Sequence, residues 1–139
     1  MFVDENLQAV LDSPIGTAEW EQRVASLRAD LEAFVTLKDI GPKYLFLLYP
    51  GTKGVWEIRS VQEEPSVRVL GLFAARDVFV ATNYALREDL GAWQSRAWKD
   101  VKLTAWARWR IHLHTYQPII TNDVHAVVSG AVNGKYFKG

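Results

Sequence analysis

The chain has 139 residues, 49% hydrophobic and 23% charged, which suits one soluble domain with a core large enough to stand without cross-links. It contains no cysteine, which excludes disulfides, thiol nucleophiles and thiolate metal sites and fits a reducing cytoplasm. Sixteen bases balance sixteen acids, but unevenly: residues 1–50 hold eight acids and four bases, residues 51–91 six and five, residues 92–139 two and seven, or −4, −1 and +5. An acidic front joined to a basic back points to an anionic partner for the back half, or to halves that neutralise each other on folding.

The opening, MFVDENLQAV, is acidic and lacks a basic segment followed by a long apolar one, so no signal peptide is expected. No apolar run approaches the roughly 18 residues that span a bilayer, so no membrane is expected among the partners. Residues 1–13 read as a short helical turn or a frayed arm gripped by Leu7, Val10 and Leu11. Ser13, Pro14 and Thr17 are capping-type residues ahead of a periodic segment. Trp20, Val24, Leu27, Leu31 and Phe34 then recur at spacings of four, three, four and three, with Glu21, Arg28, Asp30 and Glu32 opposite, which predicts an amphipathic helix. Lys43–Tyr49 is short and uniformly apolar, and reads either as a buried strand or as the last turn of a second helix. Pro50-Gly51 and Lys53-Gly54 form a turn.

Residues 54–83 organise the chain. Three runs rich in β-branched and aromatic residues, Val55–Val61, Val67–Ala74 and Val78–Thr82, are separated by the short polar segments Gln62–Ser66 and Ala75–Asp77. Connections this short predict a three-stranded antiparallel meander. Both faces of the second run are apolar, which marks a central strand covered on both sides, and Gly71 marks a bulge or a close approach. The polar segment Leu86–Gly91 leads into a last long helix, about Ala92 to Tyr116. At 100° per residue Trp98, Val101, Ala105, Trp109 and His112 share a core-facing sector. Lys99, Lys102, Trp106 and Arg110 share the neighbouring one, with Arg96 and His114 at its edge. Pro118 stops the helix, and the tail reads as a closing strand or a loose end.

The expected fold is therefore α+β: a small antiparallel sheet, three strands with Lys43–Tyr49 as a candidate fourth, packed against N-terminal and C-terminal helices. We divide it into an arm over residues 1–16, a domain over 17–118 and a tail or closing element over 119–139.

No phosphate-binding glycine loop and no nucleophile elbow is present. His112 and His114 point about 200° apart on a helix, a poor chelate, so neither a metal nor a cofactor is expected. The informative set is Arg59 and Arg68 on neighbouring strands, followed by Arg87, Arg96, Lys99, Lys102 and Arg110. Guanidinium forks suit phosphates, and tryptophan or tyrosine supplies a stacking surface for an unpaired base. The plainer alternative is solvent-facing charge, paired with Glu57, Glu88 or Asp100.

At these residues the chain resembles the RelE/HigB-type toxins, including phage-derived relatives. The matching segments are Val55-Trp56-Glu57-Ile58-Arg59, Val67-Arg68-Val69-Leu70-Gly71, Val78–Thr82, and Ala105 through Arg110, within roughly residues 17–116. Where the family often carries an aromatic and paired lysines after the third strand, this chain has Asn83-Tyr84-Ala85-Leu86-Arg87. The resemblance implies helices on one face of the sheet and an open concave face for RNA. It implies metal-free, ribosome-dependent cleavage of mRNA, restrained by a cognate antitoxin of helix-turn-helix type. Arg59 and Arg68 would be phosphate cations, joined by Arg87, Lys99 or Lys102. His114 would transfer a proton, Glu57 is a further candidate base, and Tyr84 or Trp106 would stack a base. Two other readings share these residues: a RelE-fold binding protein without chemistry that inhibits a host protein, and a phage or mobile-element assembly protein.

Overall fold

The computed structural model describes residues 2–12, 21–22, 24–25, 44–59, 67–131 and 134–136. These form a mixed α+β fold around a five-stranded sheet of order β1-β5-β4-β3-β2. The strands are β1 (Phe2–Val3), β2 (Leu45–Leu47), β3 (Trp56–Arg59), β4 (Val67–Ala75) and β5 (Val78–Leu86). Three helices accompany them: α1 (Glu5–Asp12), α2 (Arg87–Leu90) and α3 (Arg96–Leu113). No described helix is long and apolar enough to cross a membrane.

The expected meander is present as β3, β4 and β5, but the sheet is larger at both edges. Lys43–Tyr49 resolves into the strand β2, antiparallel to β3. At the other edge Phe2 and Val3 pair in parallel with Val80 and Ala81 of β5, so the first residues are a sheet strand rather than an arm. The third strand also runs on to Leu86. Of the expected helix over Trp20–Phe34 only Glu21, Gln22, Val24 and Ala25 are described; they are helical, and Val24 is buried in the core. The turn Gln62–Ser66 lies outside the described residues. The last helix is shorter than expected: Ser95 caps it, its hydroxyl accepting from the Trp98 N–H.

Strand alternation sends side chains to two separate cores. On one face Trp56, Ile58, Val67, Val69 and Phe73 pack with Leu7 and Leu11 of α1, with Val24, and with Val124, Val127 and Tyr136 of the tail. On the other, Val55, Leu70, Leu72 and Val80 pack with Trp98, Ala105 and Trp109 of α3. β4 is thus covered on both sides, as its composition predicts. The open concave face implied by the family resemblance is not present among the described residues, because Leu70 and Leu72 require an apolar cover and α3 supplies it.

Gly71 is both a bulge and a close approach. The β4–β5 register shifts between Leu70 and Gly71, and a Cβ there would collide with the Val80 carbonyl oxygen and the Phe79 ring. Among the described residues the tail is tied back onto the sheet. Asp77, at the β4–β5 turn with φ of 63°, donates its N–H to the Val127 oxygen at 2.7 Å. Its carboxylate accepts the Ser129 N–H at 2.8 Å.

Candidate functional site

Arg59 and Arg68 are direct register partners across β3 and β4. Residues opposite each other in an antiparallel ladder project to the same face, here the one that α3 covers. Glu57 and Leu70 are the next opposed pair on that face, and Ala85 of β5 opposes Arg68. Arg87 follows two residues after Ala85, at the start of α2.

Glu57 is fully buried, and its Oε1 accepts from Arg59 Nε at 2.7 Å. Arg59 is mostly buried as well, with its guanidinium carbon 4.4 Å from the centre of the Phe46 ring. Glu57 Oε2 is buried and has no hydrogen-bond partner among the described residues. Phe46 lies 6.1 Å from Trp93, and Trp93 stacks on Trp98 at 4.5 Å. The guanidinium of Arg87 lies 5.9 Å from the Trp98 ring and donates to the Gly91 oxygen. An arginine pair, a buried carboxylate and an aromatic run therefore meet at one end of the α3-covered face.

A second group assembles elsewhere. Lys99, Lys102, Trp106 and Arg110, one helical sector in the sequence, line a groove of about 610 Å³ beside α3, joined by Pro50, Thr52 and Lys53. Lys102 Nζ donates to the Tyr49 oxygen, and Trp106 Nε1 donates to the Lys53 oxygen at 2.8 Å. Arg110 lies over the Trp106 ring at 5.3 Å. Burial, with the neighbouring charge of Lys99, holds the Lys102 amine below its usual range. The groove's lining includes neither Arg59 nor Arg68.

Three expected members stand apart from the arginine pair. Tyr84 opposes Val69 and packs against the other core, so it projects to the face opposite Arg68. Arg96 is exposed and faces Asp100 at 3.9 Å. His114 is exposed at the C-cap of α3. It is about 24 Å along the helix axis from Trp98, the tryptophan that meets Arg87.

Sequence reasoning missed a further cluster. His112, assigned to the core stripe, is exposed, and its Nε2 lies 2.8 Å from Oδ2 of the buried Asp4. Arg108 Nη1 lies 4.0 Å from the same oxygen. Asn6, with its amide oxygen turned to Arg108, accepts from both guanidinium nitrogens at 2.9 and 3.2 Å. The only sequence signal was Asp4 before the helical pattern of residues 5–12, in a segment read as an acidic opening. No protein-family model, curated protein or solved structure matches this chain.

Proposed function

We propose that the chain is an RNA-directed protein of the RelE/HigB toxin type, an mRNA endonuclease acting at the ribosome. Arg59 and Arg68 are its phosphate clamp. The observation that carries this reading is their direct opposition across β3 and β4. Two guanidinium forks side by side on one sheet face suit a phosphodiester, which accepts from both. In the reaction Glu57 takes the proton of the ribose 2′-hydroxyl, and the 2′-oxygen attacks the adjacent phosphorus. The bond to the 5′-oxygen of the next nucleotide breaks, leaving a 2′,3′-cyclic phosphate and a 5′-hydroxyl that takes its proton from water. The phosphorane carries more negative charge than the ground state, so cations fixed at the clamp stabilise it preferentially. Glu57, whose Oε1 lies 2.7 Å from Arg59 Nε, is the base this reading uses. The partners are mRNA on the ribosome and a cognate helix-turn-helix antitoxin, in the cytoplasm.

One observation favours a second reading, a RelE-fold binding protein of phage or mobile-element origin without chemistry. Arg59 is already held by Glu57 and Phe46, and His114 stands at the far end of α3. Inducing the wild type beside Arg68→Ala and mapping cellular mRNA 5′ ends separates the two. New in-frame ends with the wild type alone support cleavage. Growth arrest without new ends supports the binding protein. If neither growth nor RNA changes, both are wrong, and an assembly partner is the next search.

A further inference from the structure

We infer that the groove beside α3 docks an acidic, amphipathic helical segment of a protein partner, at a surface separate from the arginine clamp. The inference does not depend on whether the chain cuts RNA.

Four cations, Lys53, Lys99, Lys102 and Arg110, line the groove, and no carboxylate does among the described residues. The chain as a whole is neutral, so this is a local excess of positive charge among the described residues. Burial first, and then the charge of Lys99, lowers the Lys102 amine, and a carboxylate laid beside it would favour its charged form. Beside the cations, Leu103 is 68% exposed and Ile120 47% exposed, both on the groove wall. Residues from Lys99 to Arg110 span three turns of α3, about 16 Å. That length and that mixture of cations with aliphatics match the acidic rim and apolar stripe of one amphipathic helix laid in the groove.

The same features argue against a nucleotide strand as occupant. Trp106 is not an open stacking platform, because Arg110 lies over its ring and its N–H is committed to the Lys53 oxygen. Three of the four cations are lysines, which act as point charges and lack the fork that grips phosphate in two places. A phosphodiester strand leaves Leu103 and Ile120 in water, whereas an apolar stripe buries them at about 25 cal/mol per Å².

The test uses the full chain and three fluorescent probes: a helix-stabilised peptide with glutamates flanking a leucine stripe, its Glu→Gln counterpart, and a single-stranded RNA oligomer. Lys99→Glu and Leu103→Asp change exposed side chains, and a thermal melt checks that each variant folds. The glutamate peptide should bind, its affinity should fall with salt, and each substitution should weaken it about tenfold or more. Arg68→Ala should leave peptide binding unchanged, which separates this inference from the proposed clamp. Three outcomes overturn it: no binding of the glutamate peptide, equal binding of the two peptides, or binding indifferent to both groove variants. RNA binding that is lost with Lys99→Glu while the peptide fails to bind would reassign the groove to nucleic acid.

Discussion

Asp4 and His112 are 108 residues apart in sequence and meet at 2.8 Å, tying the junction of β1 and α1 to the last turn of α3. Asp4 acts in two directions. Oδ1 accepts the Asn6 N–H at 2.9 Å at the start of α1, while Oδ2 faces His112 and Arg108. Asp4→Ala removes both and should cost about 2–3 kcal/mol, roughly 1 of it from the lost cap. Asp4→Asn keeps a capping oxygen and should lose less. Midpoints of urea unfolding at constant slope will rank the three proteins; equal midpoints would show that the contact contributes nothing.

The same carboxylate sets a pH dependence. Burial works against ionisation of Asp4, but the His112 hydrogen bond, the Asn6 N–H and the charges of Arg108 and His112 outweigh it and hold the pKa below the ordinary 3.8. Asp77 is lowered too, chiefly by the Ser129 N–H. Each group therefore binds fewer protons folded than unfolded, so stability rises with pH across the window between the two values. The contribution is full above the unfolded value and is lost as pH falls through the folded one. Unfolding free energy measured from about pH 5 to about pH 2 should drop more steeply for the wild type than for an Asp4→Asn/Asp77→Asn double variant. Parallel curves would contradict this.

Gly71→Ala places a methyl group against the Val80 carbonyl oxygen and the Phe79 ring, both part of the β4–β5 ladder. Neither can yield without moving β5. We expect a loss of about 3 kcal/mol or more, at or above the upper end for an overpacked site, seen as a large fall in Tm or as insoluble protein. A Tm within a few degrees of wild type would mean that the bulge can re-register.

Removing one member of the Glu57–Arg59 pair leaves the other charge in a buried setting. Each of Glu57→Ala and Arg59→Ala should cost about 3 kcal/mol, and the double variant much less than their sum. A double-mutant cycle by chemical denaturation reads the coupling directly. It also has a practical meaning for function: lost activity in Arg59→Ala confounds folding with phosphate binding, so Arg68→Ala is the cleaner probe.

What the sequence made legible was whatever local periodicity controls. β4 has apolar residues on both faces, so its central position was readable, as was the bulge at Gly71. The 100° spacing placed Trp98, Ala105 and Trp109 on the buried side of α3 and the basic sector along the groove. It also put Val101, which is half-buried, and His112, which is exposed, in the core stripe. Three things escaped. β1 is two residues long and carries no period at all. Ala81–Leu86 looks like a strand giving way to a turn, yet Asn83 stays in the ladder, its Nδ2 donating to the Val101 oxygen at 3.1 Å and docking β5 on α3. Tyr84 then falls on the face opposite Arg68, a consequence of strand parity that misplacing the strand end concealed. The groove's other wall, Pro50 to Lys53, reaches α3 only through tertiary packing.

The tail contact has a consequence for self-association. Leu47 lies in an edge strand of only three residues, and it donates its N–H to the Tyr136 oxygen at 2.7 Å. An edge amide spent in this way cannot recruit a strand from another molecule. At the opposite edge β1 is too short to template much pairing. A variant ending at Gly130 would uncover the β2 margin together with the core once covered by Tyr136, and light scattering on heating should report chain-to-chain growth that the intact protein resists.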